Sequence, residues 1–181
     1  LHIYDALFNA KKIKHVLARH EQGATHAADG YARACGKPSV VLVTSGPGIT
    51  NCVTGLATAH MDSIPMIIIS GQVSRQYVGS DAFQEADATG ITRPVTKHNF
   101  LVDSRESIAD VFKKAFTIAT TGRPGPVLID IPKDLTDPSF KIDFNYPKKV
   151  NIRSYKPAPK ESEDKIDTAA KLLCSAKKPM I

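Results

Sequence analysis

Three short apolar runs, rich in β-branched residues and bounded by Gly, Pro or Ser, set the fold class of this chain: SVVLVT at 39–44, PMIIIS at 65–70 and GPVLIDI at 125–131. Runs so short and so continuously apolar read as strands buried on both faces, as in parallel sheets. Stretches of helical character separate them. That alternation predicts an α/β domain with a doubly wound, mostly parallel sheet flanked by helices.

Residues 15–19 (HVLAR) and 95–102 are expected as further strands. Helices are expected at 21–34, ended by Gly36 and Pro38, at 49–60, and at 104–120 with Ser104 as its cap. Residues 72–94 mix Gly, Ser, Asp and aromatics and read as a long loop with a short helix near 85–90. Loops of that length in compact domains are usually functional. Pro138, Pro147, Pro157 and Pro159, with lysines between them, mark residues 136–160 as a linker. Residues 162–176 form an amphipathic helix whose apolar face is Ile166, Ala169, Ala170, Leu172 and Leu173. Alone it cannot bury that face, so 161–181 is expected to begin a second domain after a first at 1–135. The chain opens without Met or a targeting segment, and is expected to be a piece of a longer polypeptide.

The net charge of +6 invites a nucleic-acid reading, but it is unevenly placed. Residues 1–140 carry 14 Lys and Arg against 13 Asp and Glu, and residues 141–181 carry 10 against 5. The excess belongs to the Pro/Lys-rich tail rather than to a folded basic face, so no nucleic-acid partner is expected. No apolar run approaches the roughly 20 residues of a membrane span. Cys35, Cys52 and Cys174 have neither disulfide parity nor metal-ligand spacing. They read as reduced packing residues of a cytoplasmic protein.

Two segments invite chemistry. Glu21 stands where residues 15–19 give way to a helix, and an acid there is favoured by the helix dipole whatever its role. Gly46-Pro47-Gly48 opens the next helix: such glycines either bring N–H groups to a phosphate or simply make a tight turn. The P-loop lysine and the GxGxxG spacing are both missing, so a nucleotide site is not indicated.

The motifs HEQGA, GYARACGKP, TSGPG, GQV, DAFQE, TKH and GRPGPVLIDIPKD, in that order, resemble the N-terminal pyrimidine-binding domain of thiamine-diphosphate enzymes. Within these they are most similar to the catalytic subunit of acetohydroxyacid (acetolactate) synthases. The resemblance covers residues 3–135 strongly and 160–181 weakly. It implies that Glu21 hydrogen-bonds the pyrimidine ring and shares a proton with it, work that calls for a raised pKa in an apolar pocket. It brings Pro47, Gly48 and Asn51 near the same ring, with direct contact or a plain turn both open. DAFQE implies Phe83 and Gln84 at the cofactor and substrate entrance, where a Gln amide can donate to a developing oxyanion; Phe83 read by itself could equally pin the loop to the core. Lys97 of TKH is either at the substrate channel or a solvated strand-end lysine. Arg123 either contacts FAD or is exposed at a turn. Ser74 stands where many members have proline, which puts sulfonylurea sensitivity in doubt.

The implied activity is decarboxylation of pyruvate and condensation of its two-carbon unit with a second 2-oxo acid. Pyruvate as acceptor gives 2-acetolactate, and 2-oxobutyrate gives 2-aceto-2-hydroxybutyrate, both leading to branched-chain amino acids. The implied cofactors are thiamine diphosphate, Mg²⁺ with ligands outside this chain, and FAD. A homodimer or tetramer with the cofactor between subunits is implied, with a regulatory subunit possible. The competing readings are a pyruvate oxidase or 2-oxo acid decarboxylase. For these 181 residues alone no turnover is expected, because the implied diphosphate and Mg²⁺ ligands lie outside them; in isolation they are expected to be a non-catalytic binding or dimerisation domain.

Overall fold

A computed structural model describes residues 2–157 and 161–180. Four strands, β1 (Ser39–Val43), β2 (Met66–Gln72), β3 (His98–Leu101) and β4 (Pro126–Pro132), form one sheet in the order β1-β2-β4-β3, each neighbouring pair parallel. All of β4 is buried, and it runs in register with β2 from Met66 opposite Pro126 to Gln72 opposite Pro132. The helices are α1 (His2–Phe8), α2 (Glu21–Cys35), α3 (Pro47–Thr50), α4 (Val53–Met61), α5 (Ala88–Thr92), α6 (Ile108–Thr120) and α7 (Glu163–Ser175). The doubly wound parallel architecture is as the apolar runs require.

The two-residue period of a strand sorts the core into two clusters. Met66, Ile68 and Leu128 pack with Ala28 of α2 and with Leu56 and Ala59 of α4. Ile67, Val127 and Ile129 face the other way, onto Val111, Ala115 and Ile118 of α6. Each fully buried aliphatic side chain contributes roughly 1.5–3 kcal/mol. The first cluster is tight because Gly55 of α4 meets α2: a Cβ there would lie 2.5 Å from the Thr25 methyl group.

Local chemistry fixes α2 at both ends. His20 is extended and its Nδ1 accepts the Gln22 N–H at 3.2 Å, while Gly36, at φ +64°, closes the helix with its N–H on the Ala32 carbonyl at 2.9 Å. Thr25, Ala28, Asp29 and Ala32 are buried, a spacing that defines one helix face. Arg33 ties Asp29 at 2.9 Å to Asp62, just beyond α4, at 2.6 Å.

Several elements differ from expectation. Residues 15–19 are irregular and exposed rather than a strand. Among the described residues β1 pairs only with β2, so this segment has no ladder to join. The helix expected at 49–60 is two pieces, because the Cys52 N–H tightens onto the Ile49 carbonyl at 3.0 Å. Strand β2 continues through Gly71 to Gln72, and the expected strand from Val95 begins only at His98, Val95 lying in a 3₁₀ turn. The short helix of the long loop falls at 88–92 because Asp87 caps it, its side chain accepting the Gly90 N–H at 2.8 Å. Helix α6 starts at Ile108, with Ser104 instead accepting the Ser107 N–H in the preceding turn. Only Cys52 packs in the interior, Cys35 and Cys174 being exposed.

Between residues 140 and 155 the Pro/Lys-rich stretch is fastened to α6 and to the turn before it. The Phe140 ring lies 4.1 Å from the Arg105 guanidinium, Tyr146 lies 5.4 Å from the Lys113 ammonium, and Ile152 and Tyr155 pack on the second core cluster. The Tyr155 hydroxyl meets Thr121 Oγ1 at 2.8 Å and the Lys97 ammonium at 3.0 Å. Residues 158–160, including Pro159 of the expected linker, lie outside the described residues. Helix α7 forms as expected, and none of its residues is buried.

One charged side chain interrupts the apolar run of β4. Asp130 is 1% exposed, and burial pushes its carboxyl up to about 6, against the lowering by donors from Ser70 and Gln72 and with the Asp87 charge adding a smaller upward push. In the unfolded chain the same carboxyl loses its proton near its ordinary 3.8. Between those values the folded state holds the proton more tightly, so stability falls as pH rises through this window.

We expect urea unfolding to show that fall, at most roughly 3 kcal/mol, and Asp130→Asn to remove it; the same pH slope in both proteins would contradict the assignment. Tyr155→Phe is expected to lower stability by roughly 1 kcal/mol in the same assay, since it deletes the hydroxyl shared with Thr121 and Lys97. No change would show that this hydroxyl does not hold the strap.

Candidate functional site

The loops at the carboxyl ends of parallel strands are where such sheets hold ligands, and the residues that invite chemistry gather there. Helix α2 begins at this edge with Glu21 in its first turn. The turn after β1 brings Asn51 to it: Asn51 Nδ2 donates to Glu21 Oε2 at 3.1 Å. Gly48 is buried against Thr44, and Pro47 occupies the first turn of α3 on the solvent side.

The same turn meets the long loop. Gly46 sits at φ +58°, and a Cβ on it would lie 2.6 Å from the Gln84 carbonyl oxygen. The position therefore requires glycine for its dihedral and for the approach of another backbone. TSGPG and DAFQE, some 35 residues apart in sequence, are thus in direct contact. Between them and the end of β2 lies an open cleft of about 450 Å³, whose lining includes Ser45, Gly71, Tyr77, Phe83, Gln84 and Lys133.

The loop carries its own internal order. Asp81 and Gln84 both adopt left-handed backbone, at φ +57° and +58°, a strained state for residues other than glycine. Glu85 compensates: its carboxylate accepts N–H groups from Gly79, from Ser80 at 3.2 Å and from Ala82 at 3.1 Å. The Gly79 N–H in particular holds that carboxyl below its ordinary range. Arg75 anchors the start of the loop through Asp134, with its Nε 2.7 Å from Oδ2 and its backbone N–H 2.9 Å from Oδ1.

The sequence-predicted residues divide into two groups. Glu21, Pro47, Gly48, Asn51, Phe83 and Gln84 share the carboxyl edge of the sheet. Lys97 and Arg123 do not join them. Lys97 precedes β3 at the opposite end, where its ammonium donates to the Ile118 carbonyl, to the Thr121 carbonyl at 2.6 Å and to Tyr155. It is a cation on the carboxyl end of α6, a favourable place on the helix dipole, and neither a solvated lysine nor a neighbour of Glu21. Arg123 likewise binds Ser63 Oγ at 2.7 Å and the Met61 carbonyl at 3.0 Å, closing the end of α4.

Two expectations are corrected. Glu21 has a lowered pKa rather than a raised one: its own backbone N–H and the Asn51 amide stabilise the carboxylate, and burial opposes them too weakly to win. Phe83 does not pin the loop to the core, being 88% exposed at the rim of the cleft. Sequence reading missed Gln72, Glu85 and Asp130. Of these only Asp130 left a signal, as a lone charge in a buried run.

Comparison with known proteins agrees with this arrangement. A family model described as thiamine pyrophosphate enzyme, N-terminal TPP binding domain, matches residues 1–91. The chain is 58% identical to the acetolactate synthase large subunit of Buchnera aphidicola subsp. Schizaphis graminum and 56% identical to that of Haemophilus influenzae. It is 54% identical to the acetolactate synthase isozyme 3 large subunit of Escherichia coli K12. Each match covers the whole chain and 32% of the relative, so the chain spans about a third of their length. With a parallel sheet, an acid at the first turn of α2 and a glycine turn packed beside it, this chain belongs to the thiamine pyrophosphate enzymes as their N-terminal TPP-binding domain.

Proposed function

We propose that the chain is the pyrimidine-binding portion of an acetolactate synthase large subunit, with Glu21 as the residue that holds a proton against the cofactor ring. The carrying observation is the Glu21–Asn51 pair at the start of α2, beside the Gly46 turn. When bound, thiamine diphosphate supplies the nucleophilic carbon and the electron sink for decarboxylating a 2-oxo acid. Asn51 engages Oε2 and orients the carboxyl, which would hold the cofactor through a ring nitrogen. Pro47 and Gly48 shape the floor beside it, and Gln84 and Phe83 line the way in for substrate. The lowered pKa of Glu21 belongs to a carboxylate still partly in water. Cover by the cofactor and a second subunit would remove that water and push the value up, as proton sharing requires.

Pyruvate as donor, with pyruvate or 2-oxobutyrate as acceptor, follows from the likeness to acetolactate synthases. So do assembly as a homodimer or tetramer, pairing with a regulatory subunit, and a place in branched-chain amino-acid synthesis. The three free thiols agree with a cytoplasmic setting, and no described helix is long and apolar enough to cross a membrane. Mg²⁺, with ligands outside this chain, follows from the same likeness. FAD follows from the same likeness; Arg123, whose Nε and one terminal nitrogen hold Ser63 and the Met61 carbonyl, keeps its other terminal nitrogen for such a partner. We assign residues 1–135 to the cofactor-binding domain, 136–160 to a linker and 161–181 to the start of a further domain.

The test uses the full-length protein. Glu21→Gln is expected to leave the fold intact and slow hydrogen exchange at C2 of bound thiamine diphosphate by about 10²–10⁴-fold. Exchange at the unaltered rate would remove Glu21 from this role. Incubation with pyruvate is expected to yield 2-acetolactate; acetaldehyde or acetyl phosphate instead would move the chain to a sister activity with the same fold.

A further inference from the structure

The side chain of Gln72 closes a ring of hydrogen bonds at the base of the long loop. It is the last residue of β2 and only 7% exposed. Its Oε1 accepts the Val73 N–H at 2.8 Å, and its Nε2 donates at 3.0 Å to the Ala86 carbonyl and at 3.0 Å to Asp130 Oδ2. Gln72 therefore grips Val73, where the loop leaves β2, and Ala86, 14 positions beyond Gln72, where the loop gives way to α5. Its orientation is forced. Two acceptors, Ala86 and Asp130, demand the NH₂ end, and the Val73 N–H demands the oxygen. Asp130 is itself fixed from β2, because the Ser70 hydroxyl donates to its other oxygen across the in-register Ser70–Asp130 pair.

The consequence runs along the chain from Ala86 to Gln84, whose carbonyl abuts Gly46. The loop interior is already organised by Glu85 and needs only to be set at the correct angle. We propose that Gln72, oriented by Asp130 and Ser70, is a positioning residue that clasps the loop of residues 73–86 over the cleft and so places Gln84 and Phe83 for substrate. This rests on the synthase reading for its functional half and on geometry alone for the clasp. No other side chain suits the place equally. Glu would set a carboxylate oxygen against Asp130 and the Ala86 carbonyl, and Leu would leave all three partners unpaired in a buried site.

The experiment takes the full-length protein with thiamine diphosphate, Mg²⁺ and FAD, as wild type and as Gln72→Leu and Gln72→Glu. Amide hydrogen exchange in 79–86 is expected to quicken by at least about tenfold in both variants, while β2 and β4 keep their protection. The KM for pyruvate is expected to rise and kcat to fall, together costing about 10–100-fold in kcat/KM. Exchange at C2 of the bound cofactor, governed by Glu21, should stay within about threefold of wild type. Unchanged protection of 79–86 overturns the proposal. So does C2 exchange that falls in step with turnover, or loss of protection throughout β2. Asp130 supplies a second pair: Asp130→Leu should loosen 79–86 like Gln72→Leu. Asp130→Asn should keep the loop protected, because its amide can donate to Ser70 and its oxygen accept from Gln72; a loosened loop in that variant counts against the clasp. Loosening in a protein that makes no acetolactate supports the clasp and overturns only the synthase reading.

Discussion

The in-register parallel pairing of β2 with β4 is the constraint on which the rest of the structure hangs. These two strands are the centre of the sheet, covered on both faces, and their alternating side chains supply both halves of the core. Parallel pairing puts their carboxyl ends at one edge, and the register puts Ser70 opposite Asp130 and Gln72 opposite Pro132. A polar side chain at that edge is shielded by the layers on either side, yet within reach of the loops that leave it. The buried Ser70–Asp130–Gln72 group is possible only there. A slip of one residue would turn Asp130 toward the opposite face.

From that edge the site is assembled by backbone as much as by side chains. Gly46 accepts the Gln84 carbonyl because it has no Cβ, and Gly55 lets α4 approach α2 closely enough for Asn51 to reach Glu21. The loop tolerates two left-handed residues because a carboxylate gathers the N–H groups that this backbone exposes. At the opposite edge Lys97 and Arg123 close helix ends, and Lys97 also holds Tyr155 of the stretch that follows β4. Lys97 and Arg123 thus brace the scaffold of this chain instead of lining its cleft, where the basic residue is Lys133.

Much of the architecture was legible in the sequence because strands buried on both faces leave an unmistakable apolar run. Residues 39–44, 65–70 and 125–131 identify themselves that way, and α2 is announced by Ala spacing and by Gly36. Residues 15–19 failed as a strand because a strand is a property of a pair, and pairing is invisible in one segment. The site was legible as motifs but not as geometry. Nothing in the string DAFQE says that Gln84 abuts Gly46, and nothing in TKH says that Lys97 is spent on carbonyls of α6. Gln72 was hidden because a glutamine at a strand end looks solvated; only the register with β4 shows that it is buried.

The account turns on the carboxyl of Glu21, an ordinary helix-start carboxylate here and, in the function proposed, a proton-sharing group in the assembled enzyme. Its charge is favoured by its own N–H and by Asn51, and only removal of water can reverse that balance. The decisive measurement follows the ¹³C resonance of the Glu21 carboxyl through a pH titration of the full-length protein, without and with thiamine diphosphate and Mg²⁺. The account predicts a pKa below the usual glutamate range without cofactor and well above it once cofactor is bound. A carboxyl that titrates at the same low pH in both states would contradict the role given to Glu21.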